Sequence, residues 1–264
     1  MNKGYRTAQR ASFAVLTRIL SFSLILLRTK FLCMLQHRAH LHLADQRKVT
    51  QVENNYRSYR TFEVAEDAAS EAGVGQLLFI NDDTLNIESQ ITTSLEPETA
   101  VVIIPVVGKV HYQSNTGSSV EAGEIAWLTS DRPSPIELSN PYATQLINFL
   151  QIGFKRSAGQ AYEGVQALPL ETRPNQLWPL QWGDEPVSFG SMGRFEGRRS
   201  GCYSVANPAA GVFVLVIDGV CEVEDRLMQS RDGLSLWDVP EVTFEALTAE
   251  AVILLLELGG TTKL

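Results

Sequence analysis

"VVIIPVVGKVHYQSNTGSSVEAGEIAWL", residues 101–128, decides the fold. A run of Val and Ile reaches Gly108, an alternating stretch follows, and a polar turn leads through Gly123 into a strand that closes on Trp127. "VFVLVIDGVCEVEDRLMQSRDGLSLW", residues 212–237, repeats the plan: apolar strand, glycine, alternating strand, turn, glycine, strand ending in Trp. The glycines are 15 residues apart in the first copy (Gly108, Gly123) and 14 in the second (Gly219, Gly233). Short β-branched runs separated by Gly, Asn, Asp and Pro read as strands. Glycine at the corners supplies positive φ without strain. An internal repeat of this kind predicts an all-β chain of tandem double-stranded β-helix barrels.

Working outward, "QLLFIND" (76–82), "SPIELSN" (134–140) and "QLINFLQIGF" (145–154) supply further strands of the first copy, and no helical periodicity interrupts them. The polar stretch "KRSAGQAYEGVQALPLETRPNQ" (155–176), with Pro169 and Pro174, reads as the connection between copies. The expected domains are an N-terminal extension over 1–44, a first barrel over 45–155, a linker over 156–176 and a second barrel over 177–264.

Charge is unevenly spread. The first 44 residues hold seven basic groups and no acid, which leaves 15 basic against 30 acidic groups in the body. Such a body repels phosphate backbones, so direct nucleic-acid binding is not expected. Cys33, Cys202 and Cys221 have no metal-type spacing and cannot all pair, which points to buried or half-buried thiols in a reducing compartment. The apolar run "ASFAVLTRILSFSLILL" (11–27) is interrupted by Arg18 and is short for a membrane span. Three readings of residues 1–33 stay open: an upstream artefact with Met34 as the start, a targeting segment, or an anchor. Membrane contact is not expected outside that stretch, and the body is expected in the cytoplasm. In "HRAHLH", His40 and His42 would share one face of a strand, which could suit a metal. No carboxylate or thiol accompanies them or His37, so incidental surface histidines is the favoured reading.

Four phrases resemble the pirin family, the bicupins that include quercetin 2,3-dioxygenase-like proteins: "FINDD" (79–83), "GEIAWLTS" (123–130), "FLQIGF" (149–154) and "DGLSLWDVPEVTFEALTAEAVILLLEL" (232–258). The resemblance runs over about residues 45–260, and the order and spacing of the phrases carry it. The resemblance implies a pirin-like bicupin, and in metal-binding members an iron or similar divalent ion held by three histidines and a glutamate in the first barrel. Counting without gaps from Ile80-Asn81-Asp82-Asp83 to Gly108, the His-x-His pair falls on Ser94 and Glu96. The family's His-Ser-Glu motif falls on Ile136 and Leu138, and Ala100 replaces an acid that often follows the first pair. Ile and Leu donate nothing to a metal, whereas a catalytic divalent site needs several imidazole or carboxylate donors and an open position. No metal or other cofactor is therefore expected; the alternative is a divalent metal such as iron.

Glu98, His111 and Tyr112 are possible substitute polar groups, with Glu96 beside Glu98 on one strand face, although Pro97 suits an exposed turn. Tyr112, not His111, occupies a position where the family often has histidine. "GSMGRFEGRRSG" (190–201) lacks a phosphate-loop lysine, and no G-x-S-x-G elbow supports a hydrolase. Arg194, Arg198 and Arg199 read as solvated edge charges rather than an anion site. Trp127, Trp178, Trp182 and Trp237 read as packing residues, with Trp178 and Trp182 as candidates for a contact surface. The leading expectation is a metal-free, non-catalytic module that binds a small molecule in a residual pocket at Ser94, Glu96, Ile136 and Leu138, or else a protein partner. The alternative is a metal-dependent dioxygenase of the quercetin 2,3-dioxygenase type.

Overall fold

The computed structural model describes residues 37–63, 77–113, 117–155, 160–181 and 188–258. The readings of residues 1–33, of Cys33 and of Trp182 lie outside these. Strands dominate the described residues, and they form two large and two small antiparallel sheets. In the first barrel a seven-stranded sheet runs in the order Tyr162–Ala167, Glu124–Thr129, Thr99–Val107, Ile147–Lys155, Leu77–Leu85, Tyr56–Glu63, Lys48–Val52. It faces a four-stranded sheet of Gln90–Leu95, Ser134–Ser139, Lys109–Gln113 and Ser118–Glu121. The second barrel repeats this with six strands (Ala39–His42, Gly233–Leu236, Val212–Asp218, Ala251–Glu257, Ser188–Phe195, Trp178–Gln181) over four (Ser200–Ser204, Glu241–Ala246, Val220–Val223, Arg226–Gln229). No helix among the described residues is long and apolar enough to cross a membrane.

Burial on both faces explains why the large-sheet strands read as continuous hydrocarbon. Along Thr99–Val107, Val101 and Ile103 point into the first barrel, while Ala100, Val102 and Ile104 enter a layer between the two large sheets. In the second barrel Val212, Val214 and Val216 point inward, and Phe213, Leu215 and Ile217 join the same shared layer. Trp127 lies in that layer against Phe154, and Trp178 and Trp237 pack on its margin, with Arg38 over the Trp237 ring at 4.7 Å. Strands of the small sheets are covered on one face only and alternate cleanly, as Lys109–Gln113 and Glu241–Ala246 do.

The structure moves two boundaries. Ala39–His42, expected within the extension, pairs with Gly233–Leu236 and forms an edge of the second barrel. Tyr162–Ala167, expected within the linker, pairs with Glu124–Thr129 and edges the first. The corners also differ in detail. Gly108, Gly123 and Gly219 have positive φ, but at Gly233 the constraint is space, since a Cβ there would meet Phe213 Cζ at 2.5 Å. The left-handed residue of that corner is Arg231, at φ 73°. Its guanidinium reaches across to Asn148 of the first barrel, donating from Nη2 to Oδ1 at 2.9 Å.

Candidate functional site: the first barrel and its cleft

Gln90–Leu95 and Ser134–Ser139 are the strands on which the resemblance places ligands. They pair with Ile136 opposite Thr93, Leu138 opposite Ile91 and Pro135 opposite Ser94. Ile136 and Leu138 face inward, 0% exposed, among Val110, Tyr112, Phe149 and Leu95. Ser94 faces outward to solvent and donates its hydroxyl to the exposed Glu96 carboxylate at 2.8 Å. The four expected positions are thus split between the two faces and line no common pocket.

The physical reason is parity. Side chains alternate with period two, so a one-residue slip exchanges faces. Thr99–Val107 bulges against its neighbour, with Asn148 opposite Val107 but Phe149 opposite Pro105. That extra residue, Val106, lies within the strand and downstream of Ser94 and Glu96, so a count forward from Ile80 reaches both positions before the bulge. The inward positions one residue back are Thr93 and Leu95.

The substitute groups do not assemble either. Glu96 and Glu98 are exposed at a turn closed by Thr99 N–H on the Glu96 carbonyl at 2.9 Å. His111 is exposed between Ser119 and Ser139. Tyr112 is buried in the barrel, and burial, then the Glu163 carboxylate beside it, pushes its phenol up. Among the described residues, no three His, Cys, Asp or Glu side chains gather as a metal could use them. The inward wall at Thr93, Leu95, Ile136 and Leu138 offers one hydroxyl and three hydrocarbons, a donor set that does not fit a divalent ion.

Two acids that sequence reading treated only as a family phrase have clear work. Asp83 points into the first barrel, where Tyr56 Oη donates to it at 3.0 Å and Ser58 and the Gln151 amide also bond it. Burial raises its carboxyl above the usual range, and those three bonds oppose the rise. Asp82 points the other way, toward the second barrel. It binds Arg47 Nη1 at 2.8 Å and Arg231 Nε at 3.5 Å, and accepts from Asn148 Nδ2 at 2.7 Å. Adjacent residues on opposite faces of one strand therefore serve one barrel and the joint between two.

Beside Leu95 a cleft of about 580 Å³ opens, lined by Leu128, Arg132, Ser134, Tyr162 and Glu163 among others. Its volume lies within the range of small-molecule sites. Sequence reading missed it because Tyr162 and Glu163 fall in the expected linker. Arg194 bonds Glu250 at 2.6 Å and Glu171 at 3.3 Å, Arg198 pairs with Glu245 and Arg199 with Glu196, so these arginines are edge charges with acidic partners. Cys202 is exposed and Cys221 buried, its thiol pushed up to about 11 by burial.

A family model described as the quercetinase C-terminal cupin domain matches residues 190–258, which lie in the second barrel. The structure of YhhW from Escherichia coli superimposes over 86% of this chain and 100% of its own, with a TM-score of 0.72 at 16% identity. The fold is that of a pirin-like bicupin. Bacterial pirin YhhW in complex with nickel(II) is similar over 84% of this chain and 100% of its own (TM-score 0.70, 18% identity). A quercetin 2,3-dioxygenase from Acinetobacter baumannii matches over 83% and 85%, respectively (TM-score 0.62, 12% identity). No curated protein matches the sequence. At these identities the likeness is one of fold, and the pirin-like frame leaves the chemistry to this chain's own side chains.

Proposed function

We propose that this pirin-like bicupin is a metal-independent, non-catalytic binding module that takes a small organic molecule at the first-barrel cleft. One observation carries the reading: Ile136 and Leu138 fill the barrel centre with buried hydrocarbon where the family resemblance calls for a histidine and a glutamate. Each such side chain contributes about 1.5–3 kcal/mol by burial, so the centre serves packing. The cleft offers apolar Leu95, Leu128 and Tyr162 with Arg132 and Glu163 as polar anchors. That mixture suits a ligand with a flat apolar body and one or two polar groups.

The test uses the full chain, purified from medium supplemented with iron and nickel. Metal content well below one equivalent is expected, with no oxygen uptake on a flavonol, together with ligand-induced thermal stabilisation that Leu95→Trp and Arg132→Ala reduce. One equivalent of iron, nickel, copper or zinc accompanied by flavonol-dependent oxygen uptake would establish the dioxygenase alternative instead.

A further inference from the structure

Tyr162–Ala167 is an edge strand of the first barrel's seven-stranded sheet, and Trp178–Gln181 is an edge strand of the second barrel's six-stranded sheet. These two edges meet through one side chain. Gln166 donates from Nε2 to the Pro179 carbonyl at 2.9 Å, and its Oε1 accepts from the Gln181 N–H at 3.0 Å. A primary amide carries both a donor and an acceptor, so one glutamine makes the pair of bonds that a neighbouring strand would make there. Pairing of this kind also covers backbone groups that a bare edge would expose.

The pleat sends alternate side chains of Tyr162–Ala167 to different places. Glu163 lies opposite Leu128, which faces the first barrel, and it lines the cleft. Gln166 lies opposite Ile125, which faces the layer between the large sheets. One strand therefore forms a wall of the cleft with one side chain and holds the second barrel with another. None of its six residues is buried, and Val165 is 45% exposed. Polar bonds at particular points seat it. Tyr162 N–H donates to Thr129 Oγ1 at 2.8 Å, and Leu168 N–H, just past the strand, donates to the Gly123 carbonyl at 2.7 Å. From inside the barrel the Tyr112 phenol donates to the Glu163 carboxylate. At Gly164 no side chain adds packing; a Cβ there would collide with the Tyr162 phenol, which lies over the glycine.

We propose that Tyr162–Ala167 is a strap over the cleft, seated by the second barrel through Gln166. This deepens the reading of the cleft as a small-molecule site and rests on it. An edge strand with little buried surface opens at low free energy, so the two Gln166 bonds weigh heavily in how often it is seated. A molecule in contact with Tyr162 and Glu163 binds the seated strand better than the lifted one, which shifts the population toward seating. Linkage makes the effect reciprocal: whatever unseats the strand through Gln166 weakens the ligand. The second barrel thus sets the affinity of the cleft without touching what binds there.

Hydrogen exchange of the full chain, read by mass spectrometry, tests the proposal with 8-anilinonaphthalene-1-sulfonate as the cleft probe. Its apolar rings suit Leu95 and Leu128, and its single sulfonate suits Arg132. In the parent, saturating probe should slow exchange across Tyr162–Ala167 by about tenfold. Gln166→Leu removes both bonds at similar volume; it should speed exchange there by about tenfold or more and leave Thr99–Val107 unchanged. The same variant should weaken the probe by about three- to tenfold. Gln166→Glu keeps the acceptor for the Gln181 N–H and loses the donor to Pro179, so as a milder second variant it should fall between parent and Gln166→Leu. Glu222→Gln, at an exposed position of the second barrel, should move neither readout. Unchanged exchange at Tyr162–Ala167 in Gln166→Leu, an equal rise in Thr99–Val107, or undiminished probe affinity would overturn the strap and leave the cleft standing. A parent that binds no probe, or a Leu95→Trp variant that binds it equally well, would sink the cleft reading and the strap with it.

Discussion

In the first barrel the inward-facing carboxylate is Asp83, set in the middle of the large sheet and held by Tyr56, Ser58 and Gln151. In the second it is Glu257, at the end of the last strand, held by Tyr203 Oη at 2.8 Å and the Ala206 N–H at 2.9 Å. Both barrels place one acid against one tyrosine, and both fill the centre with aliphatic side chains. They differ in where the polar groups stand. The second barrel spends its acid on closing a loop at the rim, whereas the first keeps an acid inside and opens a cleft beside Leu95. A repeated scaffold can therefore open a cleft in one copy and close a loop over the rim in the other.

The largest effect is expected at the joint between the copies. Asp82→Ala leaves Arg47 and Arg231 buried without their shared counter-charge, which should cost about 3–5 kcal/mol in urea unfolding. A loss near zero would mean that the barrels are not tied there. Next come the centres. Leu138→Ala in the first barrel and Leu255→Ala in the second should each cost about 2–5 kcal/mol. If Leu138→Ala costs much less than its counterpart, the first barrel already contains free space and the two centres are not equivalent.

Acidity separates the barrels further. Because the folded state raises the Asp83 pKa, it holds that proton more tightly than the unfolded chain. The contribution is thus present at low pH and is lost as pH rises from the ordinary carboxylate value through the folded one. Asp83→Asn should remove this downward slope from a series of unfolding midpoints. His42 acts oppositely: with its pKa lowered from 6.5 to about 4, stability is lost as pH falls through that interval. His42→Asn should flatten that part of the profile. The smallest effects belong to Ser94→Ala and Glu96→Gln, which are exposed and should change stability by no more than about 0.5 kcal/mol. A large loss at either would restore them to the barrel interior.

The tandem barrels were legible because the glycine corners and doubly buried strands leave a strong pattern: Thr99–Val107 and Val212–Asp218 read alike for the same reason. Ala39–His42 was not, since four residues with mostly exposed side chains carry no period and gain a partner only in three dimensions. Ile136 and Leu138 were correctly read as inward hydrocarbons. Ser94 and Glu96 were placed one residue off the inward set, because a residue count alone does not fix the parity of a strand and the inward side chains there are Thr93 and Leu95. Asp82 and Asp83 looked like one acidic phrase, and only the pleat separates their roles. The cleft residues Tyr162 and Glu163 meet Leu95 and Arg132 only in the folded barrel, so no local motif announces them.

The most direct test of the hydrocarbon centre is anomalous diffraction from crystals of the full chain grown with iron(II) or nickel(II). The expected result is a first barrel with packed side chains between Thr93, Leu95, Ile136 and Leu138 and no anomalous peak. A full-occupancy peak in that space, with protein donors around it, would contradict the account.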